Sequence, residues 1–230
     1  MDKVRTLRDI AAAMPFRLQW IGYNRADLIS AHPETADLLV ESGLTSTFFG
    51  IESFEPHSSS LVGKGWSGRN GKRWLKEMQQ RWQGQVNWQL GLIVGLPGQT
   101  VAQLERDQQW LLEHDLHTWR YSALGLKPGT RPSQFSREAE RYGFSFPDSA
   151  NPNNWVNQDG WNYLTAKKLS IKLNHETAAR QAVRAAWGLG EIASLGYDLE
   201  AAKIRSDGGG QIAKRRKEFL DNYVTKSLQQ

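Results

Sequence analysis

The 230-residue sequence contains no cysteine, and this absence limits the chemistry that its side chains can perform. Without thiols the chain forms no disulfide and no zinc–thiolate site, although the absence says little about redox compartment. No apolar run reaches the roughly 18 residues that a membrane-spanning helix needs. Residues 1–5 also lack the apolar core of a signal peptide. We therefore expect a cytoplasmic protein that has no membrane partner.

The composition is that of one main globular domain with an appended region. Hydrophobic residues make up 39% of the chain and the mean hydropathy is -0.59. The net charge is +5, and the densest basic run is residues 214–217. Such a run can meet phosphates but is more commonly the solvated face of a helix. Most of the ten tryptophans fit burial better than base stacking, so we do not expect a nucleic-acid partner.

Hydrophobic patterning alternates between strands and helices over the first 130 residues. Strands alternating with helices indicate βαβ units and a parallel sheet, so the pattern predicts an α/β fold. The predicted strands are residues 16–23, 44–51, 86–94 and 119–126, and the predicted helices are residues 2–14, 34–43, 71–82 and 101–115.

The pattern changes after residue 130. Residues 131–160 are rich in proline, asparagine, serine and aromatic residues, and they predict an irregular loop. Residues 161–205 carry apolar positions at helical spacing, with breaks at Gly188, Gly190 and Gly196. We therefore divide the chain into residues 1–130 and a loop and helical C-terminal extension over residues 131–230.

The segment Gly-Leu-Ile-Val-Gly-Leu-Pro-Gly-Gln-Thr at residues 91–100 takes an apolar strand into a tight turn and then into a helix. Either Gln99 or Thr100 is expected to cap that helix. Glycine at three positions lets a ligand or a neighbouring strand approach without a Cβ in the way. The same pattern also fits an ordinary turn between a strand and a helix in any α/β domain.

Other candidate motifs carry little support. His114 and His117 resemble a metal pair, but their position at a predicted helix end favours an interaction with the helix dipole. His57 lacks a nucleophile elbow, and residues 63–65 lack the spacing of a phosphate-binding loop. We therefore predict no metal ligand and name no catalytic residue.

Four segments, in order, resemble motifs of the radical S-adenosylmethionine (SAM) superfamily, especially its cobalamin-dependent branch. Residues 23–28 are similar to the end of the third barrel strand, and residues 41–53 to the passage that ends the fourth strand in Gly-Ile-Glu-Ser. Residues 91–100 resemble the fifth-strand Gly-x-Ile-x-Gly-x-x-Gly-Glu-Thr motif, with Gln99 in place of glutamate. Residues 127–130 resemble the Pro-Gly-Thr that closes the sixth strand.

The resemblance implies a partial TIM-like (βα) barrel with parallel strands, in which the first two strands would precede residue 1. Its chemistry is 5′-deoxyadenosyl radical formation from SAM at a [4Fe–4S] cluster held by Cys-x-x-x-Cys-x-x-Cys. Cluster irons need thiolate ligands, and this chain has none. We therefore expect the cluster ligands to come from a companion chain and expect no activity from this chain alone. Cobalamin would need a binding domain elsewhere in the complete system.

A half-barrel exposes the edge of its first parallel strand, which is a pairing template. Three outcomes are compatible with the sequence: a companion chain covers the opening, the C-terminal extension folds back over it, or the chain is a remnant of low stability. A non-catalytic binding module for a nucleotide-like ligand or a protein is the alternative to an enzyme fragment. The substrate, and whether a methyl group or a hydrogen atom is transferred, stay open.

The resemblance also implies SAM-binding residues at the carboxyl ends of the strands, where ligands of parallel α/β folds bind. Glu52 would accept hydrogen bonds from ribose hydroxyls or the methionine amino group, or else it forms a salt bridge. Arg25 would hold a carboxylate, or else it pairs with Asp27. Strand packing is the alternative for Gly91, Ile93 and Gly95. The complete predicted set is Asn24, Arg25, Gly50, Glu52, Ser53, Gly91, Ile93, Gly95, Leu124 and Leu126.

Overall fold

The computed structural model describes residues 2–64, 68–116, 118–126, 134–147 and 154–183. The described strands are β1 (Trp20–Asn24), β2 (Leu44–Glu52), β3 (Asn87–Val94), β4 (Thr118–Ala123), β5 (Phe144–Ser145) and β6 (Val156–Asn157). The described α-helices are α1 (Asp2–Ala13), α2 (Ala26–Ala31), α3 (Glu34–Glu41), α4 (Pro56–Leu61), α5 (Gly68–Trp82), α6 (Val101–Glu113), α7 (Gln134–Arg137) and α8 (Tyr163–Val183).

The first four strands form one sheet in the order β1-β2-β3-β4, and every neighbouring pair is parallel. Sequential parallel strands joined through helices are the arrangement of a section of a (βα) barrel. The predicted α/β fold with parallel strands is confirmed. Helix α8 likewise confirms a helical C-terminal region, while residues 184–205 and the basic run 214–217 lie outside the described residues.

The main core lies on the face of the sheet that the helices cover. Phe49 of β2 stacks on Trp82 of α5 with ring centroids 5.9 Å apart, and it meets Trp74 edge-on at 5.3 Å. Leu90 of β3 and Trp119 of β4 are fully buried on the same side of the sheet. Several of the ten tryptophans therefore act as core residues, as their size predicts.

Local sequence signals account for one tight turn and for the start of one helix. Gly43 joins α3 to β2 with φ +92, where a side chain would collide with the backbone of Leu18. Thr100 begins α6 by accepting a hydrogen bond from the Gln103 amide at 3.2 Å. Of the two predicted caps, Thr100 is the one observed.

The short elements differ from the prediction. Helices α2 and α4 are six residues each, too short to show a helical period, and were not predicted. Strand β4 ends at Ala123, so Leu124 and Leu126 follow it. The described parts of residues 131–160 contain α7, a 3-10 turn at Ala139–Tyr142 and the antiparallel pair β5–β6 rather than irregular loop alone. None of the helices in the described ranges has the length and apolarity to cross a bilayer.

Candidate functional site

Within the described residues no layer of helices covers the second face of the sheet, and we call it the open face. Register pairs place Tyr23 beside Phe48 and Gly50 beside Gly91 on this face. Tyr23 is 75% exposed, and its ring centroid lies 5.2 Å from that of Phe48. Neither glycine has a side chain, and the Phe48 ring lies over Gly91 where a Cβ would otherwise stand. The open face thus exposes Tyr23 and packs the Phe48 ring onto the backbone of β3.

Glu52 lies at the end of β2, and its carboxylate covers Gly50. Its backbone is left-handed, with φ +66, which L-residues other than glycine seldom adopt. Burial raises the pKa of this carboxyl, and the Lys64 ammonium, with Nζ 3.6 Å from Oε1, opposes that rise only in part. The salt-bridge alternative for Glu52 is therefore present, at a distance longer than a hydrogen bond.

Arg25 and Asn24 contact other side chains of the chain. The Arg25 guanidinium binds Asp27 through two nitrogens, at 3.1 and 2.6 Å, and donates to the Gly63 carbonyl at 3.1 Å. This hydrogen-bonded pair lowers the pKa of Asp27. Asn24 donates to the Thr47 hydroxyl at 2.9 Å, on the helix-covered face. Of the alternatives for Arg25, the structure has the pair with Asp27.

Gln99 joins the ends of β2 and β3, and it is 2% exposed. Its Oε1 accepts from the amides of Gly95 and Leu96 at 2.9 and 3.0 Å. Its Nε2 donates to the Ser53 hydroxyl at 3.1 Å and to the Ile93 carbonyl at 2.9 Å. A glutamate has no proton to donate when ionised, so the difference from the family motif matters here. The sequence suggested the acceptor role of Gln99 but not its donor role.

Residues 155–161 cover the carboxyl ends of β3 and β4. Trp155 Nε1 donates to the Leu124 carbonyl at 3.2 Å, and Asn157 Nδ2 donates to the Gly95 carbonyl at 3.4 Å. Trp161 Nε1 donates to the Gln99 carbonyl at 2.9 Å. The sequence marked this segment only by its tryptophans and asparagines, since these contacts join residues that are about 30–60 positions apart.

The structure divides the predicted site residues into three groups. Gly50, Glu52, Gly91 and Ile93 lie together on or beside the open face, with Ser53 held below by Gln99. Leu124 and Leu126 are buried, and the backbone of Gly95 is bonded to Gln99 and Asn157. Asn24 and Arg25 make the protein contacts given above.

No arrangement in the described ranges resembles a metal site. Those residues include no group of three or more histidine, aspartate or glutamate side chains that could hold an ion. The whole sequence has no cysteine. The chain therefore does not supply the thiolates that a [4Fe–4S] cluster needs.

Comparisons with known proteins identify similar solved structures but no similar sequence family. No protein-family model matches this sequence, and no curated protein matches it. The archaeal Elp3 of Methanocaldococcus infernus is 11% identical with a TM-score of 0.49, over 75% of this chain and 35% of its own.

Two other similar structures are those of radical SAM enzymes. TsrM from Kitasatospora setae, a radical SAM methyltransferase solved with tryptophan and a SAM analogue, is 18% identical over 53% of this chain and 23% of its own, with a TM-score of 0.44. OxsB, a cobalamin-dependent SAM radical enzyme, is 14% identical over 48% of this chain and 16% of its own, with a TM-score of 0.41. This chain thus spans well under half the length of each. Cobalamin-dependent radical SAM enzymes, whose motifs the sequence resembles, are therefore among the solved structures to which this chain is similar.

Proposed function

We propose that this chain forms the SAM-binding and substrate-facing wall of a radical SAM enzyme whose cluster ligands belong to a companion chain. The observation that carries the proposal is Glu52 at the end of β2. It joins a left-handed backbone, a largely buried carboxylate and a position over Gly50 on the open face. The left-handed backbone and the buried carboxylate each cost stability, and such costs cluster at ligand sites.

The residues around Glu52 suit an adenosyl ligand. The carboxylate is an acceptor for ribose hydroxyls or an ammonium group, and Lys64 at 3.6 Å leaves it hydrogen-bonding capacity. The Glu52 carboxylate and the Phe48 ring take up the space over Gly50 and Gly91, so a flat ring would lie on these side chains, and Ile93 offers an aliphatic contact. SAM bound here would supply the adenosyl group for radical chemistry, and the open face would position the substrate beside it.

The outer edge of β1 supports the proposal of a companion chain. Within the described residues no strand pairs with the outer side of β1. Five of the seven exposed large apolar side chains in that part of the protein belong to residues 10–28, the segment that contains β1, at Ile10, Met14, Phe16, Tyr23 and Leu28. A parallel edge that has no strand partner within the described residues, in a segment with exposed apolar side chains, suits strand addition by another polypeptide. Cobalamin, if it takes part, would be held outside this chain.

Calorimetric titration of the full chain with SAM tests the ligand. We expect saturable one-to-one binding that weakens about tenfold in Glu52→Gln, because a charge-assisted hydrogen bond is lost. Glu77→Gln is the matched control, since Glu77 is exposed on α5. Equal affinity of Glu52→Gln and the wild type, or no binding of SAM to either, would contradict the proposed site.

Anaerobic iron–sulfur reconstitution tests the companion chain. This chain alone should give no cluster absorbance, and its mixture with a partner that carries Cys-x-x-x-Cys-x-x-Cys should give a cluster and SAM cleavage. A stoichiometric cluster on the isolated chain would refute the assignment of ligands to a partner. The reading frames beside the gene are the first place to seek that partner.

A non-catalytic binding module is the second candidate, and the same exposed apolar side chains near β1 favour it. The binding module and the enzyme fragment differ in one expected outcome. If neither a neighbouring frame nor any co-purifying chain carries the three-cysteine motif, while the β1 edge still binds a partner, the chain is a binding module and not an enzyme fragment.

A further inference from the structure

A groove of about 300 Å³ lies between β4 and α8, and Glu52 is not among its lining residues. The residues that matter here are Arg120 and Ser122 on β4 and Tyr163, Lys167, Ser170 and Asn174 on α8. Arg120 and Ser122 are exposed, and their register partners on β3 are Gly91 and Ile93. The groove therefore opens beside the open face.

Within the part of the chain that the structure describes, the charge of the groove is positive and is not compensated. Its lining includes Arg120 and Lys167 and no carboxylate. Neither cation forms an ion pair with a described side chain, whereas Lys172, one turn further along α8, pairs with Glu105 at 2.8 Å. Two cations that face one concave space without an anion favour a negatively charged ligand.

The walls of the groove are held together by hydrogen bonds. Asn174 Oδ1 accepts from the Tyr121 amide at 2.9 Å, and its Nδ2 donates to the Tyr121 carbonyl at 2.8 Å. Gln108 of α6 also donates to the Leu173 carbonyl at 2.8 Å. These bonds fix the separation of α8 and β4, so the groove is preformed and a ligand would not have to order its walls.

The beginning of α8 adds donors and positive potential. Asn162 caps the helix by accepting from the Thr165 amide at 2.9 Å. Tyr163 is the first residue of α8, and Lys167 lies one turn later on the groove side. The partial positive charge of a helix N-terminus acts in the same direction as the two cations.

We propose that this groove binds the oxyanion of a small molecule, a carboxylate or a phosphate group, through Arg120 and Lys167. The planar guanidinium of Arg120 matches two oxygens of either anion, and Ser122 and Tyr163 offer hydroxyl donors. A molecule held by its anionic end here would extend towards the Phe48 ring, which lies over Gly91 on the open face. The proposal does not require that the chain bind SAM.

Titration of the full chain with inorganic phosphate and, separately, with acetate tests the groove in the absence of SAM. Binding is followed by amide chemical shifts of Ser122, Tyr163 and Ser170. The double variant Arg120→Gln/Lys167→Gln is compared with Arg17→Gln/Lys168→Gln, which removes the same charge from exposed Arg17 and from Lys168 of α8, neither of which lines the groove.

We expect saturable binding of at least one anion, at least a tenfold loss in the groove variant and less than a twofold change in the control. Saturation by phosphate alone or by acetate alone supports the groove and identifies the anionic group. Binding that falls equally in both variants would mean general charge attraction and would overturn the proposal. No saturation by either anion in the wild-type chain would also overturn it.

Discussion

The two outer edges of the sheet, at β4 and at β1, differ in how the rest of the chain covers them. At β4, Asn174 of α8 bonds to both backbone groups of Tyr121, and Trp155 covers the strand ends. At β1 no strand pairs with the outer edge within the described residues, and five large apolar side chains of residues 10–28 are exposed. We call the β4 edge the covered side and the β1 edge the open side, which is distinct from the open face defined above. The covered side is complete within one chain, whereas the open side has the features of an unfinished interface.

The largest expected difference between the sides comes from removing one aromatic residue on each. Trp155 is fully buried, packs edge-on against Phe144 at 5.3 Å and lies against Gly95. Trp155→Ala should lower the free energy of unfolding by about 3–5 kcal/mol. Tyr23→Ala on the open side should cost less than about 1 kcal/mol because Tyr23 is 75% exposed. Urea denaturation measures both, and similar losses would break the comparison.

The next effect concerns the edge of β4. Asn174→Ala removes both bonds to Tyr121, which is 2% exposed, and leaves two backbone groups without their partner. We expect a loss of about 2 kcal/mol in the free energy of unfolding. Lys168→Ala, on the same helix, is the control and should change it by less than about 0.5 kcal/mol. Hydrogen exchange at the Tyr121 amide should speed up only in the asparagine variant, and unchanged exchange there would contradict this account of the edge.

A smaller effect depends on pH and concerns Glu52, which lies on the open face at the end of β2. Its pKa is raised in the folded chain, chiefly by burial, so the folded state binds more protons than the unfolded state between the two pKa values. The wild type should therefore lose stability relative to Glu52→Gln as pH rises from the ordinary carboxyl value of about 4.3 through the raised folded value. Unfolding free energies of both proteins from pH 4 to 8 test this. A difference that stays constant with pH would contradict it.

The smallest change in the isolated chain is expected at the open edge. Phe16→Ser and Leu28→Ser remove side chains that are 60% and 58% exposed, so each should alter the free energy of unfolding by no more than about 0.5 kcal/mol. The same variants should weaken association with a partner, because interface side chains that are exposed in the free chain become buried on binding. A large loss of stability would show that this edge is part of the core of the chain itself.

The sequence predicted most of the first 126 residues because their signals are local. Alternating apolar residues marked the strands, and Gly43 and Thr100 marked where one element begins and another ends. The cluster of Gly50, Glu52 and Gly91 was also predictable, since neighbouring parallel strands end at the same edge of the sheet. The roles of these residues in binding SAM stay predictions.

What the sequence by itself determined is the alternation of strands and helices, the parallel sheet that follows from it and the absence of thiolate ligands. Only the tertiary structure decided how each side of the sheet is covered. Asn174 and Tyr121 are 53 residues apart, and Gln99 and Trp161 are 62 apart. Periodicity and capping act over a few residues, whereas these contacts depend on how distant segments pack together in three dimensions.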